Sequence, residues 1–110
     1  MKKLVVVSVS VLSLAVMAAP GLCAAKKAEK IDAKAKFDQH CVACHPKGGN
    51  IIRPDKTLSK KSLESHGIKS EKDIVAKMRN PGAGMTKFDA KAVPDAEANA
   101  IAKYIMTTFK

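Results

Sequence analysis

Cys41-Val42-Ala43-Cys44-His45, followed by Pro46-Lys47-Gly48-Gly49-Asn50, is the stretch on which the reading of this chain turns. Two thiols three positions apart on a helical turn can each add to one of the two vinyl groups of a haem. The next residue, His45, then lies under the ring with its imidazole directed at the iron. C-x-x-C-H is the attachment pattern of c-type haem. Two other chemistries use closely spaced cysteines. A thioredoxin-like dithiol needs a βαβ context, and no parallel-strand pattern follows Cys44. A zinc site needs four ligands, usually two separated pairs, and the chain has no second cysteine pair. The implied cofactor is one covalent haem c, anchored by Cys41 and Cys44 and ligated by His45.

A second axial ligand decides what such a haem does. A Met thioether opposite His raises the potential and belongs to electron transfer. Downstream, Asn80-Pro81-Gly82-Ala83-Gly84-Met85-Thr86-Lys87-Phe88 reads as a loop because of its Pro and Gly, and a loop of small residues can approach a haem face closely. Met85 is therefore the expected ligand. Met78, Met106, His40 and His66 are the other candidates. Met78 is spaced with Ile74 as a helical core position, Met106 lies inside the last helix, His40 directly precedes an anchored Cys, and His66 ends a short polar helix.

Upstream, residues 1–25 read as a cleaved secretory leader. Lys2 and Lys3 precede an apolar run from Leu4 to Ala19, and Pro20-Gly21 ends it. A membrane-spanning helix needs about 20 apolar residues, so a signal peptide is expected rather than a span. Cleavage after Ala25 leaves residues 26–110 as a single domain in an oxidising compartment, the periplasm. Cys23 follows Leu22, where a lipoprotein signal wants a small residue; a lipid anchor at Cys23 is the lesser alternative, and would tether the protein to a membrane.

The rest of the chain reads as helices joined by turns. A first helix is expected from about Lys30 to Cys41, with Ala33 and Phe37 on one face. Ser59 should cap a second helix ended by Gly67, and Ser70 a third ended near Asn80 by Pro81. A fourth should follow Pro94, with Ile101, Tyr104, Ile105, Thr108 and Phe109 as its apolar stripe. The fold class is all-α, about four helices wrapped around one covalently bound haem. Composition agrees. At 110 residues, 46% hydrophobic and 27% charged, the chain is neither disordered nor an integral membrane protein, and is too short for a two-domain enzyme. Aromatics are only 4%, so the haem must supply the missing apolar body, and the haem-free chain is expected to fold poorly.

These residues in this order resemble the one-haem class I cytochromes c, most of all the small soluble photosynthetic cytochrome c of algae and cyanobacteria and its bacterial relatives. The matching pieces are Ala33 and Phe37 ahead of Cys41, the C-x-x-C-H run, Gly48-Gly49-Asn50, Lys56-Thr57-Leu58, Leu63 to Gly67, Met85-Thr86-Lys87-Phe88 and Ala102-Lys103-Tyr104-Ile105. The resemblance implies the class I cytochrome c fold, Met85 as axial ligand, a crossing of the first and last helices at Phe37 and Tyr104, Lys56 near a haem propionate, and backbone near Asn50 orienting His45. Two departures stand out: Pro46-Lys47 lengthens the turn after His45, and Thr86-Lys87 replaces the common Pro-Ala after the axial Met.

Charge bears on partners. The chain has 20 Lys+Arg against 10 Asp+Glu, a net +10; loss of Lys2 and Lys3 with the leader makes it +8. Lys47 and Lys87 flank the segments expected to frame the haem edge, which suits redox partners with acidic docking surfaces. Nucleic acid is not an expected partner, and a monomer suits a shuttle. The function read from the sequence is a periplasmic electron carrier, not an enzyme, with His45/Met85-ligated iron cycling between ferrous and ferric. The alternative is a haem-based binder or sensor of small ligands, in which Met85 is labile.

Overall fold

Local signals set the helix boundaries. Asp32 caps the first helix by accepting the Ala35 N–H, so α1 runs Ala33–His40 rather than starting at Lys30. A short 3-10 turn follows at Pro46–Gly48. Within it Lys47 and Gly48 both stand at positive φ, 52° and 78°. Ser59 caps α2, Lys60–Ser65, by accepting the Ser62 N–H. Gly67, at φ 76°, ends it: the Gly67 N–H donates to Glu64 O and the Ile68 N–H to Leu63 O. That pair of bonds is a Schellman motif, which needs a left-handed residue at this position. Ser70 and Asp73 form a reciprocal capping box on α3, Glu71–Arg79. Asn80, ahead of Pro81, terminates α3, and α4 is Asp95–Thr108, entered from Pro94.

The computed structural model describes residues 29–110, all-helical with four α-helices and no strand among them. The leader, its cleavage site and Cys23 lie outside the described residues. No helix among those described is long and apolar enough to cross a membrane.

Helices α1 and α3 both pack on α4. The buried positions of α4 are Ala98, Ile101, Ala102 and Ile105. This corrects the stripe expected from sequence: Thr108 is exposed, and Phe109 lies past the helix end. Ala98 and Ala102 have no side chain beyond Cβ, and their full burial lets neighbouring helices approach closely. The expected crossing of α1 and α4 is present. Phe37 and Tyr104 rings lie 5.4 Å apart, and Phe109 joins them at 5.5 and 6.0 Å. Tilted and edge-on contacts at these separations are the favourable geometry for aromatic pairs. A Lys36–Glu97 ion pair at 3.0 Å also spans α1 and α4.

Phe109 also seals the 3-10 turn that follows the cysteines. A Cβ on Gly48 would fall 2.4 Å from Phe109 Cδ1. The Leu58 N–H donates to Gly48 O, and the Lys60 N–H to Phe109 O. The 3-10 turn, the start of α2 and the chain's end are thus one bonded unit.

Two predictions follow from this packing. Gly48→Ala combines positive φ with a ring clash and should cost about 2–4 kcal/mol in urea unfolding of the haem-loaded protein. Gly67→Ala has the same φ problem but nothing within 4 Å of its Cβ, and should cost only about 1 kcal/mol. The second concerns acid. The Lys69 backbone N–H, then the Ser70 hydroxyl, hold the Asp73 carboxyl below its ordinary value. A carboxylate depressed in the folded state stabilises fully above its unfolded pKa, about 3.9, and loses that contribution as pH falls through its folded value. The thermal midpoint of Asp73→Asn should therefore fall less steeply below about pH 4 than that of the parent chain.

Candidate functional site

Every helix contributes to one cavity of ≈ 330 Å³. Its apolar walls include Leu63 of α2, Ile74 and Met78 of α3, and Ile105 of α4, with Leu58, Ile68 and Phe88 between helices. Cys41, Cys44 and His45 line it from the turn after α1, and Met85 lines it from the loop between α3 and α4. The four residues singled out in the sequence are therefore brought to one place from two separate segments.

Each segment is held by its own hydrogen bonds. The Cys41 N–H donates to Phe37 O at the end of α1, and the His45 N–H to Cys41 O. His45 Nδ1 lies 2.8 Å from Gly49 O. A carbonyl can only accept, so Nδ1 carries the proton and Nε2 presents its lone pair. This is the arrangement that outer bonds impose on metal-ligating histidines. The Met85 loop is closed at its base. The Phe88 N–H donates to Met78 O at 2.9 Å, and Arg79 Nη1 donates to Phe88 O at 3.0 Å. Arg79 Nη2 reaches Asp95 Oδ1 at 2.6 Å, tying that base to the start of α4.

The chemistry of the walls suits a large, flat, mostly apolar group with polar substituents at one edge. Asn50, Arg53, Lys56, Thr57, Ser62, His66 and Lys77 supply the polar part of the lining. Burial pushes the Cys41 thiol up to about 11, so at neutral pH it is a neutral thiol rather than the reactive thiolate of a dithiol redox enzyme. Among the described residues no group of three or more His, Cys, Asp or Glu side chains converges to hold a metal ion, so the zinc reading has no ligand set there. The residues present fit a haem.

The other ligand candidates are also located. Met78 is buried in the core and forms part of the cavity wall. Met106 lines a separate surface groove between α3 and α4. His40 borders the cavity with its ring edge-on to Phe88 at 5.9 Å. His66 is exposed and bonded through Nδ1 to Ser62 O at 2.8 Å. Sequence reasoning missed Ile52, Arg53 and Lys77 as lining residues. Ile52 and Arg53 sit in an irregular segment without periodicity, and Lys77 reads as one more solvated lysine on α3.

Comparison with known proteins gives a consistent answer. The family model described as cytochrome C oxidase, cbb3-type, subunit III matches residues 28–105. Cytochrome c6 of Thermosynechococcus vestitus is 32% identical over 89% of this chain and 88% of its own length. The outer-membrane cytochrome F, OmcF, of Geobacter sulfurreducens superposes with a TM-score of 0.69 at 40% identity, covering 71% of this chain and 99% of that one. Cytochrome c6C of Synechococcus sp. PCC 7002 superposes with a TM-score of 0.65 at 26% identity, over 70% of this chain and 93% of that one. With a match of this extent the chain belongs to that family, and it is a small one-haem class I cytochrome c related to cytochrome c6, an electron carrier that binds one covalent haem c.

Proposed function

We propose that Cys41 and Cys44 attach the haem, that His45 and Met85 ligate its iron, and that the protein shuttles single electrons between redox proteins outside the cytoplasm. The observation that carries this reading is the meeting of Cys41, Cys44, His45 and Met85 on one largely apolar cavity. Bound haem c supplies a one-electron ferrous/ferric couple.

The chain's own residues do the rest. The Gly49 carbonyl orients His45 and fixes its tautomer. The apolar walls would keep water from a bound haem, which with a thioether ligand favours the ferrous state. Closure of the Met85 loop at Phe88 and Arg79 limits how far the thioether can move between oxidation states. Little rearrangement on electron transfer is what a carrier needs, and no substrate chemistry is required of the protein.

The periplasm is the location that the leader at residues 1–25 supports. Similarity to an outer-membrane cytochrome gives a lipid anchor at Cys23 a specific ground, and the mass of the mature N-terminus distinguishes the two. Lys47 and Lys87 are exposed beside the two ligand-bearing segments, and Arg53, Lys56 and Lys77 add positive charge around the cavity. An acidic docking surface on the redox partners matches them, and a monomer suits repeated docking.

The ligand assignment is tested by Met85→Ala. The parent protein should show a ferric Met–iron charge-transfer band and no carbon monoxide binding. The variant should lose the band, bind carbon monoxide and fall in reduction potential. Carbon monoxide binding by the parent protein would favour the small-ligand sensor instead. The charge reading predicts that electron transfer with an acidic partner slows as ionic strength rises; rates indifferent to salt would reject it.

A further inference from the structure

Ile52 has no evident reason to be isoleucine if only its own segment is considered. It is 51% exposed, in a stretch without regular structure. Its position is nevertheless tightly specified. The Asn50 side chain fastens the segment at both ends: Oδ1 accepts the Ile52 and Arg53 N–H groups at 3.0 and 2.8 Å, and Nδ2 donates to Lys56 O at 3.0 Å. The Ile52 side chain is thereby directed across the cavity mouth onto Gly84, the residue before Met85. A Cβ on Gly84 would lie 3.1 Å from Ile52 Cγ2 and 4.0 Å from Cδ1. Gly84 has φ 88° and no side chain to hold its own conformation. Among the described residues, the backbone bond that Met85 itself makes is a long one, its N–H to Gly82 O at 3.4 Å.

We propose that Ile52 is a positioning residue for the axial ligand, a latch that rests on Gly84 and holds the tip of the Met85 loop closed. The inference rests on the assignment of Met85 as ligand and adds the means by which it is retained. The loop is tied at its base by Phe88 and Arg79, while its tip meets a neighbouring segment through this apolar contact. Gly84 suits one side of the contact because its φ of 88° favours glycine and a Cβ at 3.1 Å would push Ile52 back by a few tenths of an ångström, and a branched apolar side chain suits the other.

An external ligand can bind the iron only in molecules whose loop has swung away, so its apparent affinity scales with that open fraction. The test is an imidazole titration of the ferric, haem-loaded protein, followed by loss of the Met–iron charge-transfer band. Ile52→Ala should bind imidazole about tenfold more tightly than the parent, equivalent to about 1.4 kcal/mol. Ile52→Val keeps Cγ2 and loses only Cδ1, and should stay within about threefold of the parent. Ile51→Ala is the control: Ile51 is 62% exposed and does not line the cavity, so it should leave imidazole affinity unchanged. A parent protein lacking the charge-transfer band would remove Met85 from the iron and overturn the latch with it. A parent protein showing the band, with Ile52→Ala unchanged or Ile51→Ala shifted equally, would overturn the latch alone.

Discussion

All four helices, and the segments between them, turn apolar surface toward one cavity, and the rest of the structure depends on that surface being covered. Leu58, Leu63, Ile68, Ile74, Met78, Phe88 and Ile105 line it together with Cys41 and His45. Burial of apolar area is worth roughly 25 cal/mol per Å², and a cavity wall earns none of this while it faces water. With only four aromatic residues the chain has little of its own to fill such a space. A covalently held haem meets the need in two ways. It supplies the apolar body, and the attachment proposed at Cys41 and Cys44 would keep that body from leaving.

Packing that does not line the cavity is concentrated where α1 crosses α4. Phe37, Tyr104 and Phe109 form one aromatic cluster there, and Phe109 extends it to Gly48 in the 3-10 turn after the cysteines. The chain's last helix therefore does more than cover the core. Through Phe109 it sets the position of the turn that presents His45, and through Asp95 it reaches Arg79 at the base of the Met85 loop. Both segments are referenced to α4, which keeps Cys41, Cys44, His45 and Met85 in one frame.

Helix boundaries were legible in the residues because each rests on short-range chemistry. Ser59, Gly67, Ser70, Asp73 and Pro81 act within a few positions of themselves, and all of them do what their chemistry implies. The apolar stripe of α4 was read in part: Ile101 and Ile105 are buried, but hydropathy gave weight to Thr108 and Phe109 and overlooked Ala98 and Ala102. Small residues are buried by the approach of a neighbouring helix, and that approach is a property of the assembled fold. The first helix was read three residues too early because Lys30 and Ile31 have no property that forbids a helix, whereas the Asp32 cap starts one.

The sequence by itself determined the all-helical class and the covalent haem chemistry, and it named the segments proposed to supply the iron's ligands, since all of these follow from residue type at close spacing. Only the tertiary structure decided which residues surround that chemistry. Ile52 meets Gly84, and Arg53 and Lys77 join the cavity lining, across separations at which no local preference operates. Those pairings exist because Asn50 bends one loop and Phe88 and Arg79 close another, so that two segments without regular structure meet at the mouth of the cavity.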